Sequence, residues 1–351
     1  WPRLRQLPTM LPLVWRTLDA HVSRRFRNLR LKQLLEYHMV FLGSSPFQAP
    51  AVYSLMSHLD FRSGVYYPRR GMMELVSSME RLGESLGVRL HYNSPVKRIV
   101  LEGNQATGVE LMNGERIAAD LVISAADIRH TESRLLPSAF RSYPEKYWQK
   151  RQPGPGALLV SLGVKGRLPN LQHHNLYFVR NWRENFAAIY ETGTVPEHAS
   201  LYVCNPSKTH AELAPIGHEN LFVLLPLPAG VTLTPEQEKT CADTIIHVLA
   251  EMCGESDLPK RVVSQLIYGP RQFGEQFNAW QYNAFGGESH LLRQSVMFRT
   301  RNRSKKVPNL YYVGAGTLPG IGLPMCLISA QLTFKRITGN RRHGPLTKED
   351  V

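Results

Sequence analysis

A glycine-rich stretch near the end of the chain constrains the fold more than any other part of the sequence. In "NLYYVGAGTLPGIGLP" (309–324), an apolar strand at 310–313 runs directly into G-A-G (314–316), and two further glycines precede a helical pattern. Glycine lacks a Cβ, so the backbone can approach a flat or phosphorylated ligand closely. The start of a helix adds free N–H groups and a positive partial charge. The stretch therefore predicts either a cofactor-contacting loop or a tight strand-to-helix connection without a ligand.

The glycine spacing differs from the fingerprint of dinucleotide-binding Rossmann folds. That fingerprint is G-x-G-x-x-G after a strand, with an acidic residue about 20 positions further on for the ribose. Here the third glycine is displaced to Gly320, and no acidic residue follows before Glu349. The loop still suits a phosphate group, or the negative charge that develops at N1 and O2 of a reduced flavin.

The charge of the chain points to an anionic partner. The formal net charge is +14, and basic residues are concentrated in the first 35 positions and at 299–306. Nucleic acid, an anionic membrane surface or an acidic ligand would each suit this charge, as would a soluble protein with a basic surface. We expect no nucleic-acid binding, because no recognisable module interleaves aromatic and basic residues. No window approaches the roughly 18 consecutive apolar residues of a spanning helix.

The N-terminal region adds to this picture. Residues 19–43 show helical spacing of apolar residues bordered by arginines, with Asp19 as a candidate N-cap. Such a pattern is typical of an interfacial helix on anionic lipid. It also suits a helix that packs on its own core and keeps a solvated basic edge.

Helical and strand patterns alternate along the rest of the chain. Residues 71–87 predict a helix, and 94–127 predict a meander of three strands whose last member ends in a buried apolar run. Residues 157–164, 175–179, 187–191, 199–207 and 219–228 show strand patterns. The clearest helix is 234–254, with Thr234 as N-cap and Pro235 at its first position. These patterns predict an α/β or α+β fold.

Familiar nucleophilic and metal-binding motifs are absent from the sequence. It has no H-E-x-x-H, no G-x-S-x-G and no C-x-x-C, and His173-His174 is an isolated pair in a loop-like stretch. We therefore expect no metal site. The four cysteines, Cys204, Cys241, Cys253 and Cys326, are expected to be reduced and mostly buried thiols of a cytosolic protein.

Three stretches together resemble the bacterial-type phytoene desaturases, the flavin-dependent carotenoid desaturase family. "PNLYYVGAGTLPGIGLPMCLISA" (308–330) is similar to the C-terminal signature of that family. Residues 64–99 resemble its helix and FAD-domain strand, and 285–316 resemble the stretch that leads into the signature. The similarities occur in order over residues 22–336. They imply an FAD-dependent, amine-oxidase-like flavoprotein fold.

The resemblance also implies the cofactor contacts. The backbone of Val96 would meet the adenine of FAD, with an ordinary strand residue as the alternative interpretation. The residues expected on the pyrophosphate and ribityl side are Gly314, Ala315, Gly316 and Thr317. Gly322 and Leu323, at the start of the last helix, would face the isoalloxazine ring.

The chain departs from the family pattern in three places. Leu318 stands where the family has histidine, and Arg70-Gly71 stands where it has two glycines. The family opens with a true G-x-G-x-x-G, which is not found here, so we expect an incomplete FAD domain; a start at Trp1 agrees with this. The predicted division is a basic helical part of the substrate domain (1–63), FAD-domain helix and strands (64–129), the substrate domain (130–290), and the C-terminal FAD-domain strand and helix (291–351).

The implied reaction is FAD-dependent desaturation of a C40 (or C30) carotenoid precursor such as phytoene. Isomerisation, saturation or oxygenation of carotenoids within the same family is an alternative, as is a non-catalytic truncated fragment. The implied partners are a lipophilic polyene, an anionic membrane surface and an electron acceptor, either oxygen or a quinone. The expected location is cytoplasmic and peripheral to the membrane. No catalytic residue is assigned, and Glu288 and His290 are expected at the surface rather than in a proton relay.

Overall fold

The computed structural model describes residues 12–196, 198–295, 298–347 and 350, and combines helices with three β-sheets. The strands are β1 Val96–Glu102, β2 Gln105–Leu111, β3 Arg116–Ala118, β4 Val122–Ser124, β5 Gly156–Lys165, β6 His174–Tyr177, β7 Leu201–Cys204, β8 His218–Leu227, β9 Val262–Tyr268 and β10 Leu310–Tyr312. The helices are α1 Leu18–Ser23, α2 Leu29–Glu36, α3 Leu55–Ser63, α4 Met72–Ser85, α5 Ile128–His130, α6 Glu145–Trp148, α7 Trp182–Ala187, α8 Pro235–Cys253, α9 Leu258–Arg261, α10 Pro270–Phe277 and α11 Leu323–Thr338. This mixture confirms the predicted fold class.

The described chain forms two compact units, each built from separate stretches of sequence. The first combines the residues up to Ser57 with Asn93–Pro155 and the residues from Phe273 onward. The second consists of His58–Tyr92 and Gly156–Gln272. These units are defined by packing and not by ligands. The functional division predicted at residues 63, 129 and 290 therefore stays a prediction.

The second unit is organised around an antiparallel sheet in the order β6-β7-β8-β5-β9. Every second residue of β5 is buried, because successive side chains of a strand point to opposite faces. These buried residues are Leu158, Val160, Leu162 and Val164. They form one core with the apolar face of α8, which contributes Ile245, Ile246, Leu249 and Cys253.

Helix α8 begins and ends as its sequence predicts. The Thr234 side chain accepts a hydrogen bond from the backbone N–H of Gln237, whose own side chain bonds back to the backbone of Thr234. This reciprocal capping box satisfies two backbone donors that the helix itself leaves unpaired. The helix ends at Gly254, which takes a left-handed conformation (φ 70°).

The first unit contains two sheets. Strands β1, β2 and β3 form an antiparallel meander, as predicted from the turns at Gly103 and Gly114. The run at 120–127 does not extend this meander. Its strand β4 instead pairs in parallel with β10, and Ile123 on β4 is 48% exposed, so the expectation of a fully buried strand was wrong. The pairing brings together residues nearly 200 positions apart in sequence, which no local pattern could indicate.

Two further local predictions need correction. The single helix predicted over 19–43 is interrupted: Asn28 caps α2 through bonds from two backbone N–H groups, and Thr17, not Asp19, caps α1. The strand predicted at 187–191 is the end of a helix, because α7 continues as a π-helical turn, Ala188–Thr192. Three buried aromatic residues recur at every fourth position of this helix: Trp182 contacts Phe186, and Phe186 contacts Tyr190.

Within the described ranges, every helix is too short or too polar to span a bilayer.

Candidate cofactor site

Two parallel strands of the first unit bring two loops to one edge. Leu310 pairs with Val122 and Tyr312 pairs with Ser124, so β10 and β4 end side by side. The residues that follow are Ala125–Asp127 after β4 and Val313–Gly316 after β10. In open sheets of this kind, ligands bind in the crevice beyond the carboxyl ends of the strands.

A cavity of about 610 Å³ lies at this edge. Its volume falls within the roughly 300–1,000 Å³ of small-molecule sites. The residues that line it are Ala125, Ala126, Asp127, Phe273, Gln276, Phe277, Asn278, Ala279, Asn283, Ala284, Phe285, Gly286, Gly287, Val313, Ala315 and Gly316. The wall is mostly apolar and carries a single carboxylate, and it includes two residues of the predicted cofactor loop.

The carbonyl groups of the glycine loop are held by the protein. Arg299 Nη2 donates to the carbonyl oxygen of Ala315 (2.9 Å), Thr300 Oγ1 donates to that of Gly316, and Thr317 Oγ1 donates to that of Gly314 (3.0 Å). In a trans peptide the C=O and the following N–H point in opposite directions. The N–H of Gly316 is therefore directed away from Arg299, on a residue that lines the cavity, where it can meet an anionic ligand.

The glycines of the site differ in what an added Cβ would contact. A Cβ on Gly314, which has φ 105°, would meet no atom within 4 Å, so the backbone at this position is open. A Cβ on Gly316 would instead press on Ile128 Cγ2 at 3.3 Å. A Cβ on Gly287 (φ 123°) would come within 2.9 Å of the Ala315 carbonyl oxygen. The open space at Gly314 beside a close-packed loop fits a phosphorylated, planar cofactor such as FAD.

Asp127 shapes the cavity wall. Its carboxylate accepts hydrogen bonds from the backbone N–H groups of His130 (2.9 Å) and Trp280 (3.1 Å). It thereby caps α5 and links the loop after β4 to Trp280, which directly follows the cavity-lining residues 276–279. Desolvation raises the pKa of Asp127, although these backbone donors oppose the shift. Asp127 is a positioning residue, because both carboxylate oxygens are engaged by the protein.

Behind the glycine loop, Glu288 lies in a buried polar network. It is 1% exposed, accepts a hydrogen bond from the hydroxyl of Tyr147 (3.0 Å) and lies 3.4 Å from Arg151 Nη1. Arg299 donates to the backbone carbonyl of Glu288 and so links this network to the loop. Burial raises the pKa of Glu288, with Arg151 and Arg299 opposing the shift. The expectation of a surface position was wrong.

His290 is buried as well, which corrects the same expectation. It is 4% exposed, its Nδ1 lies 2.5 Å from the carbonyl oxygen of Leu42, and its ring meets that of Tyr53 edge-on at 5.1 Å. Desolvation lowers its pKa to about 3, and the positive charge of Arg299 acts in the same direction. The imidazole is therefore neutral at physiological pH. A Cβ on Gly320 would meet its Nε2 at 2.7 Å, so the third glycine of the motif makes room for this ring.

Gly314 and the other predicted contact residues lie outside this cavity wall. Thr317 is buried and bonded to Asn302 and Ser329, so it braces the loop from inside. Gly322 is the N-cap of α11, and Leu323 follows it with 52% exposure. Val96 begins β1 and packs against the core. Their predicted roles toward adenine and isoalloxazine stay predictions.

Sequence reasoning missed three parts of the wall: Asp127, the segment 273–279 and the segment 283–287. A signal existed for Asp127, because it directly follows an apolar strand, where ligand-contacting residues of sheets collect. Gly286-Gly287 was quoted only within a longer similar stretch. Its contact with the glycine loop depends on the fold and has no local signature.

Comparison with known proteins agrees with this geometry. Residues 13–337 match the family described as flavin containing amine oxidoreductase. A carotenoid 3,4-desaturase of Haloarcula japonica is 38% identical over 321 residues, which cover 92% of this chain and 64% of the relative. A zeta-carotene-forming phytoene desaturase of Myxococcus xanthus is 35% identical over 328 residues, covering 92% and 62%. The chain thus spans less than two thirds of either relative.

The fold is also found in solved structures. An oxidoreductase from Methanosarcina mazei superposes with a TM-score of 0.59 at 16% identity, over 95% of this chain and 71% of that one. At this identity the similarity shows the fold alone. The comparisons together confirm the predicted flavoprotein fold and the resemblance to phytoene desaturases, and they show that the chain belongs to the family of flavin containing amine oxidoreductases.

Proposed function

Since this chain belongs to the family of flavin containing amine oxidoreductases, we propose that it serves in the FAD-dependent desaturation of a C40 or C30 carotenoid precursor. One observation carries the proposal. The loop after β10 borders a largely apolar cavity, with its carbonyl groups bonded inward and open space beside Gly314. The similarity to carotenoid desaturases supports the choice of substrate class.

The proposed mechanism divides the work between cofactor and protein. FAD, when bound, supplies an acceptor for the hydride that leaves the substrate carbon. The protein fixes the loop through Arg299, Thr300 and Asn302, so that its backbone stays in place for binding. Phe273, Phe277 and Phe285 line the cavity and make its wall largely apolar. The proposed terminal electron acceptor is oxygen or a quinone.

The substrate class implies contact with a membrane, because a C40 polyene partitions into the bilayer. We place this contact at the basic region of residues 24–34, which spans the turn after α1 and most of α2. Its apolar residues Phe26, Leu29 and Leu34 are 36%, 42% and 40% exposed. They alternate with the exposed basic residues Arg24, Arg25, Arg27 and Arg30, and Lys32 between them is half-buried. Exposed apolar side chains bordered by cations are typical of peripheral attachment to an anionic leaflet.

Flavin binding is the first test. The purified 351-residue chain is mixed with FAD, freed of unbound cofactor, and its absorbance spectrum is recorded. We expect bound flavin, with an affinity that falls at least about tenfold in Gly314→Ala, since the new methyl group occupies the space kept for the ligand. Gly114→Ala is the matched control: its glycine also has positive φ (89°) and no neighbour within 4 Å, but lies in the β2–β3 turn.

The control separates backbone strain from lost ligand space. Equal flavin binding by Gly314→Ala and the native chain would show that the loop does not meet the cofactor. If the chain binds no flavin at all, its glycine loop forms only part of a site that other residues must complete. If flavin is bound, reaction products from phytoene in liposomes distinguish desaturation from isomerisation, saturation and oxygenation.

A further inference from the structure

The second unit contains a group of potential metal ligands that the flavin chemistry does not use: His173, His174 and Cys204. His174 and Cys204 are directly paired across strands β6 and β7, so their side chains lie on the same face of the sheet. The ring of His173 lies 4.4 Å from that of His174. One ligand atom from each of the three residues lies within 4.8 Å of the other two.

Both imidazoles are held at the same ring nitrogen. His173 Nδ1 lies 2.7 Å from the hydroxyl oxygen of Thr209, and His174 Nδ1 lies 2.8 Å from that of Tyr202. When Nδ1–H donates to a hydroxyl oxygen, Nε2 keeps a free lone pair. Metal-binding histidines are commonly fixed in this way by a partner on their other nitrogen.

An orphaned atom points to a ligand at this position. His173 Nε2 is buried and has no hydrogen-bond partner in the structure. Buried polar atoms nearly always have a hydrogen-bond partner or another ligand. An unpaired imidazole nitrogen beside a second imidazole and a thiol therefore suits a metal ion. Cys204 is buried too.

We propose that His173, His174 and Cys204 bind a divalent transition metal of borderline softness, such as Zn²⁺. Two imidazoles and a thiolate are the donor set that Zn²⁺ prefers over Mg²⁺ or Ca²⁺. The Cys204 thiol loses its proton to solvent as the sulfur–metal bond forms. Among the described residues, no other histidine, cysteine or carboxylate completes the group, so water fills the fourth position.

The geometry requires only a small adjustment. Tetrahedral zinc, with Zn–N bonds of about 2.0–2.1 Å and a Zn–S bond of about 2.3 Å, brings these ligand atoms to about 3.3–3.6 Å from one another. A closure of at most about 1.5 Å from the widest spacing follows from this geometry, and side-chain rotation supplies it. The sequence predicted no metal because the histidine pair is isolated along the chain. The third ligand comes from another strand, and only the pairing of β6 with β7 brings it near.

Titration with Co²⁺ tests the proposal, because a thiolate bound to Co²⁺ gives a sulfur-to-metal charge-transfer band. The full chain, reduced and without added flavin, should show this band at one equivalent of Co²⁺ and lose it when Zn²⁺ is added. Cys204→Ser should abolish the band. His174→Gln, at an exposed strand end, should weaken Co²⁺ binding at least tenfold while the far-UV circular dichroism stays unchanged.

Two further variants test whether the band depends on Cys204 specifically and whether the hydrogen bond of His173 supports binding. Cys241→Ser removes a thiol on helix α8 and should leave the band and the affinity intact. Thr209→Val should weaken Co²⁺ binding by about tenfold without removing the band, because it frees the ring of His173. The proposal is overturned if the native chain shows no charge-transfer band, if Cys204→Ser keeps it, or if Cys241→Ser loses it.

Discussion

At the scale of single residues, the buried imidazole of His290 gives a measurable pH dependence. Its pKa is about 3 in the folded protein against an ordinary 6.5. Folding therefore favours the neutral ring, and the associated stability is present above pH 6.5 and lost as the pH falls toward 3. Between pH 6 and 4, the free energy of unfolding should fall by about 1.4 kcal/mol per pH unit more in the native protein than in His290→Gln.

Urea unfolding at several pH values measures this difference. His91→Gln removes an exposed histidine and is the matched control, which should follow the native protein across the range. Parallel stability curves for the native chain and His290→Gln would mean that His290 does not reside in the enclosure formed by Leu42, Tyr53 and Arg299.

The residue scale is also where sequence reasoning was weakest. Nothing in "GGESH" distinguishes buried from exposed positions for Glu288 and His290, because their burial follows from partners such as Tyr147 and Leu42 that are distant in sequence. A buried charge is tolerated only when such partners exist. The glycine loop could be recognised because a strand, a glycine turn and a helix start lie together within 20 residues.

At the scale of elements, helix α8 offers a clean test of a local signal. Thr234→Ala removes the side chain that accepts from the Gln237 N–H, and should lower the free energy of unfolding by about 1 kcal/mol. Thr244→Ala, at an exposed interior position of the same helix, should be neutral or slightly stabilising, because alanine has the higher helix propensity. Chemical denaturation compares the two variants; equal losses would rule out a specific role of the cap.

The elements also show where local patterns suffice. Helix α8 and strand β5 were predicted because the capping residues of the helix and the apolar pattern of the strand lie within short, continuous stretches of sequence. The stretch 187–191 was predicted as a strand because five residues are too few to separate a helical period from a strand period. The aromatic residues whose spacing indicates a helix begin at Trp182, which lies outside that stretch.

At the scale of the whole molecule, the net charge of +14 should act together with the exposed apolar residues of region 24–34. Each basic residue near an anionic surface contributes about 1 kcal/mol at low ionic strength, and this attraction weakens within a Debye length as salt rises. We expect the chain to float with phosphatidylglycerol vesicles at low salt and to remain unbound with phosphatidylcholine vesicles. High salt should release most of it.

Electrostatic attraction alone would not explain attachment to lipid, so the apolar side chains need a separate test. The double variant Leu29→Ser/Leu34→Ser should reduce vesicle partitioning at least about tenfold, since burying one leucine contributes about 1.5–3 kcal/mol. Helix α4 supplies the matched control, Val76→Ser/Leu82→Ser: both residues are exposed, but the helix carries Glu74, Glu80 and Glu84, which anionic lipid repels. If the control loses binding and the first variant keeps it, the membrane-facing surface lies on α4 and not at region 24–34.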